Sequence, residues 1–185
     1  TNLDAGLDLL YRFSPSTKLS VSLNTDFAET EVDDRRVNLT RFPLYYQEKR
    51  DFFLEDSGVF FFGPSTGRGG SRGGDLSPFF SRRIGLYNSR EVPLEVAARF
   101  TTQTDEYSLG LLDVQAGSLS YEDDGTPVSL NSQNFFVGRF SENLGEQSDA
   151  GLLWTHGNPE GGEGFTLGAD FNYRTDSFLG DRNLR

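Results

Sequence analysis

Five carboxylates, Asp26, Glu29, Glu31, Asp33 and Asp34, crowd into nine consecutive positions. Oxygen donors at that density are the chemistry of a Ca²⁺ site, because a hard cation gathers about six to eight oxygens. The central glycine and terminal glutamate that an EF-hand loop places at fixed offsets are missing. Arg35, Arg36, Arg41, Lys49 and Arg50 follow closely, so a charge network inside a polar lumen, or a solvated strand end, competes with the metal reading. A second group, Glu48, Glu55 and Asp56, brackets a segment in which charges meet Phe52, Phe53 and Leu54. Paired carboxylates are the acid and base of glycoside hydrolysis, and these three are the candidates for it, provided that a pocket raises the pKa of one.

Other chemistries are bounded by what the chain lacks. His156 is the only histidine and there is no cysteine, which removes multi-histidine and thiolate zinc sites, cysteine nucleophiles and disulfides. A serine–histidine pair would have to use His156, yet no G-x-S-x-G elbow accompanies it, and its place beside Trp154 and the turn Gly157-Asn158-Pro159 reads as a strand end. The glycine-rich stretch 63–74 matches neither phosphate-binding pattern. Aromatic clusters at Phe52-Phe53, Phe60-Phe61-Phe62, Phe79-Phe80 and Phe135-Phe136 suit sugar stacking, a core, or the girdle at a membrane boundary. A net charge of -11 repels nucleic-acid phosphates, so no nucleic-acid partner is expected.

The elements that carry these residues have period two. Ala5, Leu7, Leu9, Tyr11 and Phe13 share one face of 4–13, and Leu19, Val21, Leu23 and Phe27 one face of 18–27, with Ser14-Pro15-Ser16 between them as a hairpin turn. Phe165, Leu167, Ala169, Phe171 and Tyr173 repeat the pattern opposite Thr166, Gly168, Asp170, Asn172 and Arg174. Further strands are expected at 93–102, 106–116, 133–141 and 148–156. Lengths near ten residues match a tilted strand crossing a bilayer, which takes about 9–11, better than the usual five or six of soluble domains. The polar stretches 102–106, 142–149 and 158–164 read as turns, 121–131 as an acidic loop, and 42–92 as an irregular aromatic and glycine-rich insertion.

Composition agrees with a sheet between lipid and water. Phe 17, Tyr 7 and Gly 21 accompany only 35% hydrophobic residues, since alternating faces cancel in any average. No run approaches the ~20 apolar residues of a membrane-spanning helix. The absence of Met and of a signal-like start fits a processed or excised segment.

Several segments together resemble a bacterial family: Leu23-Asn24-Thr25-Asp26-Phe27-Ala28-Glu29-Thr30-Glu31-Val32-Asp33, then Val37-Asn38-Leu39-Thr40-Arg41-Phe42, then Gln47-Glu48-Lys49-Arg50-Asp51-Phe52-Phe53-Leu54-Glu55. Phe80-Ser81-Arg82-Arg83-Ile84-Gly85, Tyr107-Ser108-Leu109-Gly110-Leu111-Leu112-Asp113-Val114-Gln115 and Gly151-Leu152-Leu153-Trp154-Thr155 follow in the same order. The chain is similar here to domain-of-unknown-function family 5916, whose members join a family-9-type carbohydrate-binding module to a C-terminal outer-membrane barrel. Gln47 and Asp51 depart from the pattern, standing where prolines are usual. Family members are several times longer, so the resemblance implies part of a barrel, and it brings no catalytic residues.

The expectation is therefore an all-β, antiparallel up-and-down meander over 1–185, a β-barrel or part of one. Its function would be structural or transport-type in the outer membrane of a Gram-negative cell, in a surface glycan-handling system. Its partners would be the lipid bilayer, a glycan, and other chains completing the barrel, and Leu7, Leu9, Leu19, Val21, Leu167 and Phe171 would face lipid. No cofactor beyond Ca²⁺ is implied, and the balance points away from an enzyme. Two alternatives stay open: a secreted or periplasmic soluble β-sandwich or open barrel binding carbohydrate or calcium, and an acid/base glycan hydrolase.

Overall fold

The computed structural model describes residues 6–25, 48–63, 79–88, 90–145, 147–178 and 182–184. In chain order its elements are β1 (Leu7–Ser14), β2 (Thr17–Thr25), a short helix α1 (Asp51–Leu54), β3 (Leu86–Tyr87), β4 (Arg90–Glu91), β5 (Leu94–Gln103) and β6 (Tyr107–Ala116). Then come β7 (Leu119–Asp123), β8 (Thr126–Leu130), β9 (Gln133–Leu144), β10 (Ser148–His156), β11 (Phe165–Asn172), β12 (Thr175–Phe178) and β13 (Arg182–Leu184). Seven of the strands form one antiparallel sheet in the order β1-β2-β5-β6-β9-β10-β11. The remaining six pair off as three separate hairpins. Setting those hairpins aside, each strand lies beside the next in sequence, so the fold is the all-β up-and-down meander that the alternation predicts. The sheet does not close among the described residues, and β1 and β11 are its edges.

Register converts alternation into two unlike faces. Leu7 lies opposite Leu23, Leu9 opposite Val21, and Tyr11 opposite Leu19, while Leu19 and Val21 in turn face Phe100 and Ala98. Across the far half, Leu152 faces Phe140 on one side and Ala169 on the other, and Trp154 faces Leu167. All of these project from the same side of the sheet, called outward here. The inward side divides along its length. Ala97, Leu112, Val114, Val137 and Leu153 make it apolar toward the long connections, whereas Lys18, Ser20, Arg99, Thr101, Arg139 and Asp170 make it polar toward mid-height and the short turns.

The connections are unequal at the two ends. Residues 15–16, 104–106 and 145–147 are tight turns at one end, while 26–93, 117–132 and 157–164 leave from the other. The segment 121–131, expected as a loop, carries most of the β7–β8 hairpin instead. Its turn residues Asp124 and Gly125 have φ of 46° and 77°, the positive pair that a type I′ two-residue hairpin requires. Within 42–92 the described residues are more regular than expected, holding α1, 3₁₀ turns at Ser57–Phe60 and Ser81–Arg83, and the β3–β4 hairpin.

Candidate functional site

The segment 48–63 lies against the inward face and supplies most of the polar chemistry there. Glu55 ends α1 in an extended conformation, and Asp56, left-handed with φ of 54°, turns the chain into the 3₁₀ turn. Val59 and Phe60 are thereby aimed at the sheet and buried. Three arginines, two on the sheet and one in the segment itself, fix it in place, each with a carboxylate and a phenylalanine ring. Arg99 of β5 pairs with Glu55, donates to the Phe52 carbonyl and to Ser20 Oγ at 3.2 Å, and lies 5.1 Å from the Phe52 ring centroid. Arg139 of β9 holds Asp170 of β11 through two hydrogen bonds of 2.7 and 2.9 Å, with the Phe62 ring 5.6 Å away. Arg50, within the segment, makes two hydrogen bonds of 2.8 Å to Glu48, donates to the carbonyls of Ile84 and Ser81 at 2.7 Å, and sits 4.2 Å from the Phe53 ring. Guanidinium suits such places because its planar fork serves a carboxylate while its face stacks on a ring.

Lys18 of β2 completes the arrangement, reaching Glu55 at 3.0 Å and Asp56 at 2.8 Å, while Thr101 Oγ1 donates to Asp56 Oδ2 at 2.9 Å. The three carboxylates proposed for acid/base work are thus brought onto the inward side, each on a cation. Burial alone would raise the Glu48 carboxyl, but the hydrogen bonds and charge of Arg50, with Ser81 donating at 2.7 Å, hold it below its ordinary value. Lys18 and Arg99 lower Glu55 against the opposing effect of burial, and Lys18 with Thr101 lowers Asp56 against the same effect. All three are stabilised as anions, which fits ion-pair partners and is the reverse of a poised general acid.

Glycines make room for the segment. A Cβ on Gly110 of β6 would stand 2.8 Å from Val59 and 2.9 Å from the Phe60 ring, and one on Gly168 of β11 would stand 2.7 Å from the Phe62 ring. A Cβ on Gly151 of β10 would run into the Arg139 guanidinium. Substitution at any of the three requires the loop or the arginine to move.

The carboxylates Asp26, Glu29, Glu31, Asp33 and Asp34 lie outside the described residues. Among the described residues no three His, Asp or Glu side chains converge as a metal site. His156 ends β10 on the outward side, where it faces Phe136 and Phe165 across the neighbouring strands. Of the aromatic clusters, Phe53 and Phe60 are core and Phe61 is exposed, while Phe135 points inward and Phe136 outward against Trp154, with ring centroids 5.1 Å apart. Arg99, Arg139 and Asp170 were not singled out by spacing. Their signal is a charged residue in phase with the small or polar members of a strand, as in Ala97-Arg99-Thr101 and Val137-Arg139-Ser141.

The outward side lacks any such cover among the described residues. Leu7, Leu9, Tyr11 and Phe13 of β1, Leu152 and Trp154 of β10, and Phe165, Leu167 and Phe171 of β11 are all exposed, several beyond 60%. At the usual strand spacing this apolar surface is about 29 Å wide. Surfaces of soluble monomers seldom carry apolar patches larger than a few hundred Å².

A meander sheet with a bare apolar side, whose other side is packed by one of its own connections, defines the class: an all-β antiparallel up-and-down meander protein. The chain belongs to the family described as Domain of unknown function (DUF5916), whose model matches residues 1–110. That match takes in β1, β2, the inward segment, β5 and β6 as far as Gly110. No curated protein and no solved structure matches the chain.

Proposed function

We propose that this chain forms part of the wall of an outer-membrane β-barrel of structural or transport type, with its outward side against lipid. The observation that carries the reading is the outward side itself: exposed leucines and aromatics continue in register from β1 to β11, on strands of 8 to 12 residues. Such strands match the length that a tilted strand needs to cross a bilayer. Polar Asp113, Gln115 and Asn134 interrupt this side of β6 and β9 toward the long connections, as a limit to a lipid-facing band requires, and Asn134 donates to Asp113 at 3.1 Å. Short turns at one end and long connections at the other follow the pattern of outer-membrane barrels, and on this reading the long-connection end of the sheet is the one toward the cell exterior. Unpaired edges at β1 and β11 would cost several kcal/mol for each backbone group left in lipid, so the reading includes further strands that complete the wall. A glycan partner rests on the resemblance to proteins that carry a carbohydrate-binding module.

Trp154, the single tryptophan, stands on the outward side and provides the test. The protein is folded into vesicles with and without brominated acyl chains, and its emission is recorded. Strong quenching by the brominated lipid is expected. Emission indifferent to brominated lipid but freely quenched by aqueous acrylamide would overturn the proposal.

A further inference from the structure

We infer that the segment 48–63 is a resident plug, which crosses the lumen side of this wall at mid-height and restricts the passage of ions and small hydrophilic solutes. The inference rests on the barrel reading above and adds what the inward side does.

The segment runs across the sheet rather than along any strand. Its contacts begin at Lys18 of β2, pass Arg99 and Thr101 of β5 and Gly110 of β6, and end at Gly168 and Asp170 of β11. At the usual strand spacing that path is about 24 Å long. Arg99, Gly110 and Gly168 lie mid-strand, and Lys18, its cross-strand partner Thr101 and Asp170 lie nearer the short-turn end, so the crossing reaches well past the rim from which the connection leaves. A connection that merely decorated the long-loop end would need no seat there. This one has a seat made to fit it, with glycine where Phe60 and Phe62 press closest, Lys18 and Arg99 paired with Glu55 and Asp56 where the crossing begins, and the Gly63 amide donating to Asp170 Oδ2 at 2.9 Å where it ends. Burial of the Phe53 and Phe60 rings adds to the charge contacts in keeping the segment seated.

The test compares the wild-type protein with two variants in planar bilayers, while Trp154 quenching by brominated lipid is read on each. Phe60→Ala/Phe62→Ala trims the plug, and Glu55→Gln/Asp56→Asn releases it from Lys18 and Arg99 at nearly constant volume. Both variants are expected to pass several-fold more current than wild type while quenching is unchanged. Equal currents in all three, open or silent, would overturn the plug and leave the lipid-facing reading standing. Loss of quenching in the wild type would instead remove the barrel reading and the plug with it. Because the chain has no native cysteine, Val59→Cys reads seating directly. It should resist a water-soluble thiol reagent in the wild-type background, unlike Phe61→Cys, and react once Glu55→Gln/Asp56→Asn is added. Labelling of Val59→Cys as fast as Phe61→Cys in the wild-type background would overturn the seat even if a variant failed to conduct.

Discussion

Arg139 of β9 reaches across Gly151 of β10 to grip Asp170 of β11 with two hydrogen bonds, so that one ion pair spans three strands. The same carboxylate accepts the Gly63 amide, tying strand pairing and loop seating to a single side chain. Both partners are nearly inaccessible, at 4% and 8%. Removing one member of such a pair leaves the other charge buried and uncompensated. Asp170→Ala should therefore cost about 3–5 kcal/mol, read from urea unfolding of the protein folded in detergent micelles or vesicles. An unchanged midpoint would mean that water reaches Arg139.

Leu152 of β10 tests the opposite side of the sheet. It is 55% exposed, so in a water-soluble protein Leu152→Arg should alter stability by no more than about 0.5 kcal/mol. Against lipid the same change should cost about 2–4 kcal/mol near the bilayer centre. Unfolding from vesicles, with Leu152→Ala as the control, separates the two.

Acid should loosen the inward segment. Glu48, Glu55 and Asp56 have folded pKa values below their ordinary ones, so the unfolded chain binds more protons than the folded one as pH falls into the carboxylate range, about 4. Their contribution is full above that range and is lost as pH drops through the folded values. Glu55 is the most exposed of the three and contributes least. Denaturant midpoints followed from pH 7 to about pH 3 should fall, and Glu48→Gln should flatten the lower part of the curve.

Gly110 should tolerate little. Gly110→Ala places a methyl against Val59 and Phe60, and overpacking of this kind costs about 1–3 kcal/mol. If the loop is not seated in solution, the substitution should be neutral in the unfolding assay.

The strands were legible because each answers to a local rule. The expected ranges 93–102, 106–116, 133–141 and 148–156 differ from β5, β6, β9 and β10 only at their ends, and Leu7, Leu9, Leu19, Val21, Leu167 and Phe171 do share one side. Each of those residues is placed by its immediate neighbours, two positions away on the same face. The β7–β8 hairpin stands where the sequence reads as an acidic loop, because the flanking acids mask the alternation on either side of its Asp124-Gly125 turn. The inward cluster was out of reach for a different reason. Arg99 meets Glu55 across 44 residues and Arg139 meets Asp170 across 31, so their pairing depends on register and on where a long connection folds. Glu48, Glu55 and Asp56 stand out in the sequence by their type, and the cation that each one meets is set by the same long-range packing.

One consequence of the 26–93 connection is kinetic. The β1–β2 hairpin and the run from β5 to β11 can each zip up from neighbouring strands, but the β2–β5 seam joins them over a long closure whose entropy must be met first. Lys18 on one side of that seam, and Arg99 and Thr101 on the other, hold the connection that bridges it, and Arg99 also donates to Ser20 across the seam. Loop seating and closure of the β2–β5 seam draw on the same side chains, so each favours the other.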